Sequence, residues 1–275
     1  MAFEGYRQQR ARLHVGYLAL GWPVKLGLAV GMAGFVALLA QLSIPLPWTP
    51  VPFSLGLVGV LVTGAVLGRS WGLLSIVLYI LAGALGVRVF ADQSSPGPDV
   101  LTGYTAGYIY GYAAAAWLVG WYVERRRRLL DRRWATAIAI GLGALGLLSL
   151  VAVTGEALRS PRFTSAYSGT QAYLGLFVAM SLLAALAALL LVRRQRGLGW
   201  EKANLFLVMV AAVALIHLCG VAVLKATLGY GWGEAIALGS TVFLPFDLVK
   251  AALATGATLL FLPTRDETHL MSVKP

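Results

Sequence analysis

Apolar blocks of about twenty residues recur from end to end of this chain, and that recurrence limits the fold more than any other feature. A bilayer core is about 30 Å thick and takes a helix of about 20 apolar residues to cross. Eight blocks fall within the workable range of about 17–25 residues, at 24–43, 52–68, 71–90, 103–123, 134–157, 172–192, 204–226 and 242–262. Only 12% of the residues are charged, against about 25% in a soluble domain. Backbone polar groups cannot be left unpaired in lipid, so spans of this length are helices. The expectation is an all-α, polytopic membrane helix bundle.

The net charge is +11, but the basic residues sit in short runs between the apolar blocks. Seventeen of the 22 Lys and Arg fall on one side if the blocks alternate across a membrane. That is the positive-inside distribution, and it predicts cytoplasmic termini, outward loops near 44–51, 91–102, 158–171 and 227–241, and residence in the cell membrane. The run ERRRRLLDRR, 124–133, reads as a cytoplasmic stop facing anionic lipid. No basic domain stands apart, which argues against nucleic acid as a partner. The single cysteine, Cys219, excludes a disulfide within the chain, and three scattered histidines argue against a metal site. The N-terminus carries no cleavage signal after a short apolar core, so the first span is expected to act as an uncleaved targeting element. No P-loop occurs, so work against a gradient would draw on another subunit or on ions, and intramembrane carboxylates are few.

Four stretches stand out against this background. In VFLPFDLVKAAL, 242–253, an acid and an amine lie three residues apart in an apolar segment. On a helix Asp247 and Lys250 fall about 60° apart and about 4.5 Å along the axis, on one face. Each alone costs about 2.5–3.5 kcal/mol at the centre of a span, and pairing offsets part of that. Pro245 suits the first turn of the helix, which sets Asp247 near the positive end of its dipole. The pair reads either as a packing ion pair or as a polar ligand site open to the outside. In LTGYTAGYIYGY, 101–112, glycines and tyrosines each repeat every four residues, giving one bare helical face and an adjacent ladder of phenol rings. The bare face permits close helix approach, and the ladder either forms an interfacial belt or flanks a ligand. In SIPLPWTPVPFSLG, 43–56, four prolines forbid a regular helix and predict a stiff apolar cap between the first two spans, either a lid or a plain connector. Finally Ala29, Ala33 and Ala37, with Gly27 and Gly31 alongside, form a small-residue stripe on the first span.

Taken in order, these segments resemble the BioY family, the biotin-specific S-components of energy-coupling-factor (ECF) transporters. The resemblance is carried by AQLSIPLPWTPVPF (40–53), GAVLGRSWGLLSIVLYILAGALGVRVF (64–90), GYTAGY (103–108) and FLPFDLVK (243–250). It covers about 24–125 and 204–263. It implies a six-helix S-component core, here with two inserted helices. The expected organisation is a cytoplasmic N-terminal segment 1–23, core 24–125, an inserted pair within 126–203, core 204–263 and a cytoplasmic tail 264–275. The sequence departs from the family pattern at Tyr104, Ala106, Phe246 and Arg88.

The resemblance implies capture of biotin from outside and its delivery through an ECF coupling subunit and two ATPase subunits. Biotin is then the transported substrate, with no cofactor and no enzymatic reaction. The residue chemistry agrees: a cyclic urea offers two N–H donors to Asp247 and one carbonyl to Lys250, and charge-assisted bonds of this kind are the strong ones. Tyr108, Phe53 and Trp48, with Gly107 beside them, are expected to wall the apolar part of the ligand. Arg88 is the candidate partner for its carboxylate, with plain snorkelling as the rival role. The Ala29, Ala33 and Ala37 stripe is assigned to the coupling subunit, with internal packing as the rival. Two other functions are weighed. One is an S-component or transporter for a different small vitamin. The other is an intramembrane enzyme using Asp247 with His217 or Glu156, although His217 lies mid-span, where a packed histidine is the plainer reading and no nucleophile spacing supports catalysis.

Overall fold

The structure, a computed structural model, describes residues 16–17, 19–46, 49–91, 97–125 and 200–262. The expected spans 134–157 and 172–192, most of the 124–133 basic run, Trp48 and both termini lie outside the described residues. The described part is helical: α1 (Trp22–Gln41), α2 (Gly56–Ala84), a single turn α3 (Gly97–Val100), α4 (Ala106–Arg125), α5 (Trp200–Leu228), a short α6 (Trp232–Ile236), and α7 (Leu244–Phe261). Four of these, α1, α2, α5 and α7, are long and apolar enough to cross a membrane.

Two of the expected spans, 52–68 and 71–90, form one continuous element, α2, that doubles back at Gly68. Gly68 has φ 80° and ψ −178°, a conformation that side chains on L-residues disfavour. A Cβ on Gly72 would lie 2.9 Å from the Cα of Gly64, eight residues earlier, so the two arms run against each other through bare glycine. The turn is held from α4: Glu124 accepts the Arg69 amide at 2.9 Å and pairs with its guanidinium at 3.1 Å. At the same end Tyr17 donates its hydroxyl to the Leu67 carbonyl at 2.8 Å. Burial, then the charge of Glu124, pushes the Tyr17 phenol up to about 12, so it stays a neutral donor.

The second arm of α2 stops at Ala84, six residues short of the expected 90. Gly86, at φ 91°, ends it: its amide bonds the Gly83 carbonyl and the Val87 amide reaches the Ala82 carbonyl, a Schellman closure. Residues 87–91 therefore leave the helix and fold across the end of the bundle. Phe90 lies over Gly83, where any Cβ would collide with its ring, and meets Tyr79 edge-on at 5.4 Å.

The helices pack through small residues, as membrane helices do when lipid offers no hydrophobic drive for association. α1 lies on α2 with Ala33, Val36 and Ala40 inward, Val36 and Ala40 meeting Gly59 and Gly56. Its other face carries Leu28, Val30, Phe35 and Leu38 outward. α4 wedges between α2 and α5: Gly64 touches the Ala116 backbone, and Gly107 and Gly111 touch Cys219 and Ile216. The expected bare face of α4 is thus a helix-packing face. α7 completes the bundle against α2 and α5. The proline-rich stretch forms a two-stranded antiparallel ribbon, β1 (Ser43–Ile44) with β2 (Phe53–Ser54), pairing Ser43 with Ser54 and Ile44 with Phe53.

Candidate binding site

At the end of the bundle away from the Gly68 turn lies a cavity of about 70 Å³. Tyr108, on its wall, is 16 residues from Glu124 along α4, or about 24 Å. The wall draws on the cap (Val51, Pro52, Ser54), on α2 (Leu57, Tyr79), on Phe90 and Ala91, and on α4, α5 and α7. Asp247 and Lys250 both face it, 3% and 5% exposed. They are placed by the start of α7, where Pro245 occupies the first turn and Asp247 falls in the same turn, as the sequence predicts. Lys250 Nζ lies 2.9 Å from Asp247 Oδ1. It also sits 3.9 Å above the Phe53 ring, so the ammonium is held by a carboxylate on one side and a π-face on the other.

Asp247 has a second partner. Its Oδ2 lies 2.6 Å from His217 Nε2 on α5. The other ring nitrogen, Nδ1, lies 3.1 Å from the Gly239 carbonyl. That carbonyl is free for side chains because residues Ala237–Thr241 form a π-turn. In an α-helix the Phe243 amide would bond Gly239, but here it bonds Ser240, and the Val242 amide bonds Ala237 instead of Leu238. The two released carbonyls are taken by side chains: Leu238 accepts from the Thr49 hydroxyl at 2.7 Å, and Gly239 accepts from Tyr108 at 2.7 Å as well as facing His217. Tyr108 fits a slot made by two glycines, since a Cβ on either Gly220 or Gly239 would strike its side chain. The π-turn thereby ties the cap, α4 and α5 to the entrance of α7.

Asp247 Oδ1 shows the difference between an ion pair and a hydrogen bond. It touches the Lys250 ammonium, yet it is buried and receives no aligned hydrogen bond from the described residues. A carboxylate oxygen has a second lone pair, so on the cavity wall Oδ1 can also accept a donor brought by a ligand.

The sequence-derived site residues fall into three groups. Asp247, Lys250 and Tyr108 come together on the cavity wall. Gly107 and Phe53 support it from behind: Gly107 packs against the Cys219 carbonyl, and Phe53 lies under Lys250 with Phe246 edge-on at 5.2 Å. Arg88 is exposed and off the wall, because the Gly86 closure carries residues 87–91 out of the helix; its carbonyl takes the Gln41 amide at 3.2 Å. On α1, Ala29 is fully buried, Ala33 is 9% exposed and sits in the core, and Ala37 packs against that core, so these three side chains face the chain's own bundle. The small residues that α1 exposes are Gly27, Gly31 and Gly34. Sequence reasoning missed Tyr79, Phe90, Phe243 and Tyr112 as wall residues, and it paired His217 with Asp247 only within the rival enzyme reading. Tyr112 belongs to the legible tyrosine ladder; the others carry no linear signal.

A multi-pass helical membrane protein with a small aromatic-walled pocket at one end of its bundle is the class these features define. The BioY family profile matches residues 18–196 and 161–265, and the chain belongs to the BioY family. Among its relatives is the biotin transporter BioY of Thermotoga maritima, 36% identical over 114 residues, an alignment spanning 42% of this chain and 63% of the relative. The biotin transporter BioY of Rhodobacter capsulatus is 35% identical over 116 residues, spanning 40% of this chain and 58% of the relative. The fold resembles a solved S-component for biotin from an ECF-type ABC transporter, with TM-score 0.56 at 15% identity, covering 87% of this chain and 93% of that one.

Proposed function

We propose that the chain is the substrate-binding membrane subunit of a biotin uptake system, taking biotin from outside the cell and handing it on through an ECF-type complex. The observation that carries this reading is the buried Asp247–Lys250 pair on the wall of an aromatic-lined cavity, where Oδ1 can accept a further donor. A cyclic urea matches that arrangement. One ureido N–H donates to Oδ1, and the ureido carbonyl accepts from the Lys250 ammonium. Tyr79, Phe90 and Tyr108 supply walls for an apolar ring and chain. The names of the family's relatives, and of the solved protein with this fold, support biotin as the cargo. His217 is not arranged for catalysis: with Nδ1 against a backbone carbonyl and Nε2 against a carboxylate, neither nitrogen is left to take a proton from a nucleophile.

The topology proposed with this function has eight spans. Six form the core, counting the two arms of α2 separately, and two are inserted between α4 and α5. The Gly68 turn, with Arg69, faces the cytoplasm together with both termini, and the cavity faces out through the cell membrane. The coupling subunit and ATPases are the partners that would supply the work. The reading is tested by equilibrium binding of labelled biotin to the purified chain in detergent. Saturable binding, competed by unlabelled biotin and not by an excess of other vitamins, is the expected result; a protein that takes up no biotin under these conditions refutes it.

A further inference from the structure

A cyclic urea has two hydrogen-bonding edges. Each sets one N–H beside one lone pair of the shared carbonyl, and the two N–H bonds point to opposite sides of that carbonyl. Asp247 and Lys250 lie on one face of α7 with Oδ1 and Nζ 2.9 Å apart, so together they offer one acceptor and one donor and can serve one edge. The N–H of the other edge points away from Oδ1. Inside the cavity it needs an acceptor of its own, or the ligand loses the hydrogen bond it had in water.

The polar groups of the wall narrow the choice. Ser54 Oγ donates to the Ala40 carbonyl at 3.3 Å and accepts the Gly56 amide at 3.0 Å. Tyr108 gives its hydroxyl to Gly239, and His217 is held between Gly239 and Asp247. Tyr79 and Tyr112 also line the cavity, and neither hydroxyl is engaged by any of the described residues. They differ from the hydroxyls of Thr63, Ser75 and Thr258, which are shut into the core without a partner among the described residues. Tyr112 lies one turn, about 6 Å, below Tyr108 on the same face of α4, within the field of Asp247. Tyr79 comes from the second arm of α2, within the field of Tyr112, and Phe90 fixes its ring edge-on at 5.4 Å. A phenol hydroxyl both donates and accepts, so the pair can accept the second N–H and give a hydrogen to the second lone pair of the carbonyl. Thr105 is the other unengaged wall hydroxyl, but it lies seven residues before Tyr112, about 10 Å along the α4 axis.

We propose that Tyr79 and Tyr112 are specificity-determining residues whose hydroxyls read the second edge of a cyclic urea, so that the pocket selects ureas with both nitrogens unsubstituted. This deepens the biotin reading and rests on its placement of the urea against α7, and the test separates the two. Equilibrium binding in detergent compares biotin with biotin methylated on one or the other ureido nitrogen. The proteins are the wild-type chain, Tyr79→Phe, Tyr112→Phe and the double variant, in which each ring and its packing are kept. Each single variant is expected to bind biotin about fivefold more weakly. Methylation of the nitrogen that faces Asp247 is expected to weaken binding by the same factor in all four proteins. Methylation of the other is expected to weaken the wild-type chain about tenfold or more and the double variant by less than about threefold.

A double variant that binds biotin as the wild-type chain does overturns the proposal, because the hydroxyls then touch no ligand. So does one that keeps the full methylation penalty at both nitrogens, because the hydroxyls then act only through packing. Thr105→Val is measured beside them, and a penalty that vanishes there instead gives the second edge to Thr105 and also overturns the proposal. Imidazolidinone, the urea ring alone, and its N-methyl derivative go through the same comparison by ligand-observed NMR. If biotin does not bind but the bare urea does, with the penalty confined to proteins that keep both hydroxyls, the biotin reading falls and the proposal stands. If neither urea binds, both fall.

Discussion

At the scale of single residues, the site is a chain of contacts that each make the next one affordable in a low-dielectric setting. Lys250 is neutralised by Asp247 and cushioned by Phe53; Asp247 is held by His217; His217 is held by a carbonyl that a π-turn has released. Removing one member strands the others. Asp247→Asn leaves the buried ammonium without its counter-charge, and Lys250→Ala leaves the carboxylate without its own. Breaking such a pair costs about 3–5 kcal/mol, so biotin affinity is expected to fall by about 100-fold or more in either variant. Equilibrium binding in detergent measures it; affinity within twofold of wild type for both would remove these residues from the site. Tyr108→Phe removes one hydrogen bond to Gly239 and keeps the ring, and a milder loss of about 1 kcal/mol, roughly fivefold, is expected in the same assay. The acid–amine pair was legible in the sequence because charges in an apolar block have few uses. His217 was not, because its meaning depends on a carbonyl 22 residues away that only a π-turn sets free.

At the scale of elements, two glycines with positive φ decide what the apolar pattern alone leaves open. The alternation of blocks located the long described helices but not the short α3 and α6, which fall in the expected loops 91–102 and 227–241, and the turn at Gly68 fell where the pattern separates 52–68 from 71–90. Periodicity carries no information on where a helix is cut short, and Gly86 ends α2 early enough to take Arg88 off the cavity wall. Gly68 is the more exacting of the two. A side chain there meets both an unfavourable backbone region and the Glu124 carboxylate, 2.6 Å from its Cβ. Gly68→Ala is expected to destabilise the protein by about 1–3 kcal/mol, read as a lower thermal midpoint in detergent. Gly86→Ala, where the site is open, carries only the backbone strain and is expected to cost less. Equal midpoints for the two variants would show that the Glu124 contact contributes nothing. On α1, small-residue spacing marked a close-packed face correctly but could not say against what. Because Ala33 is buried in the chain's own core, Ala33→Phe is expected to lower both thermal stability and biotin binding, where a pure partner contact would leave both intact.

At the scale of the whole molecule, the cavity is the place where otherwise separate elements meet. α1, α2 and α4 are joined by glycine contacts, α7 packs on α2 and α5 with residues as far along as Thr258 buried, and around the site polar links are added, Thr49 on the Leu238 carbonyl and Asp247 on His217. Lipid contributes no hydrophobic force to hold α7 in place, so these polar links and the local packing carry that end of the bundle. A ligand bridging Asp247, Lys250, Tyr79 and Phe90 would add a cross-link between α7, α2 and the segment after it. Ligand that binds only the folded state stabilises it by about 2.7 kcal/mol at a hundredfold excess over its dissociation constant. Biotin is therefore expected to raise the thermal midpoint of the wild-type chain in a concentration-dependent way and to slow proteolysis at the cap. Asp247→Asn should lose that shift even where its midpoint without biotin matches wild type. A biotin-dependent shift that survives in Asp247→Asn would mean the vitamin binds elsewhere on the bundle, and the cavity at the head of α7 would have to be reassigned.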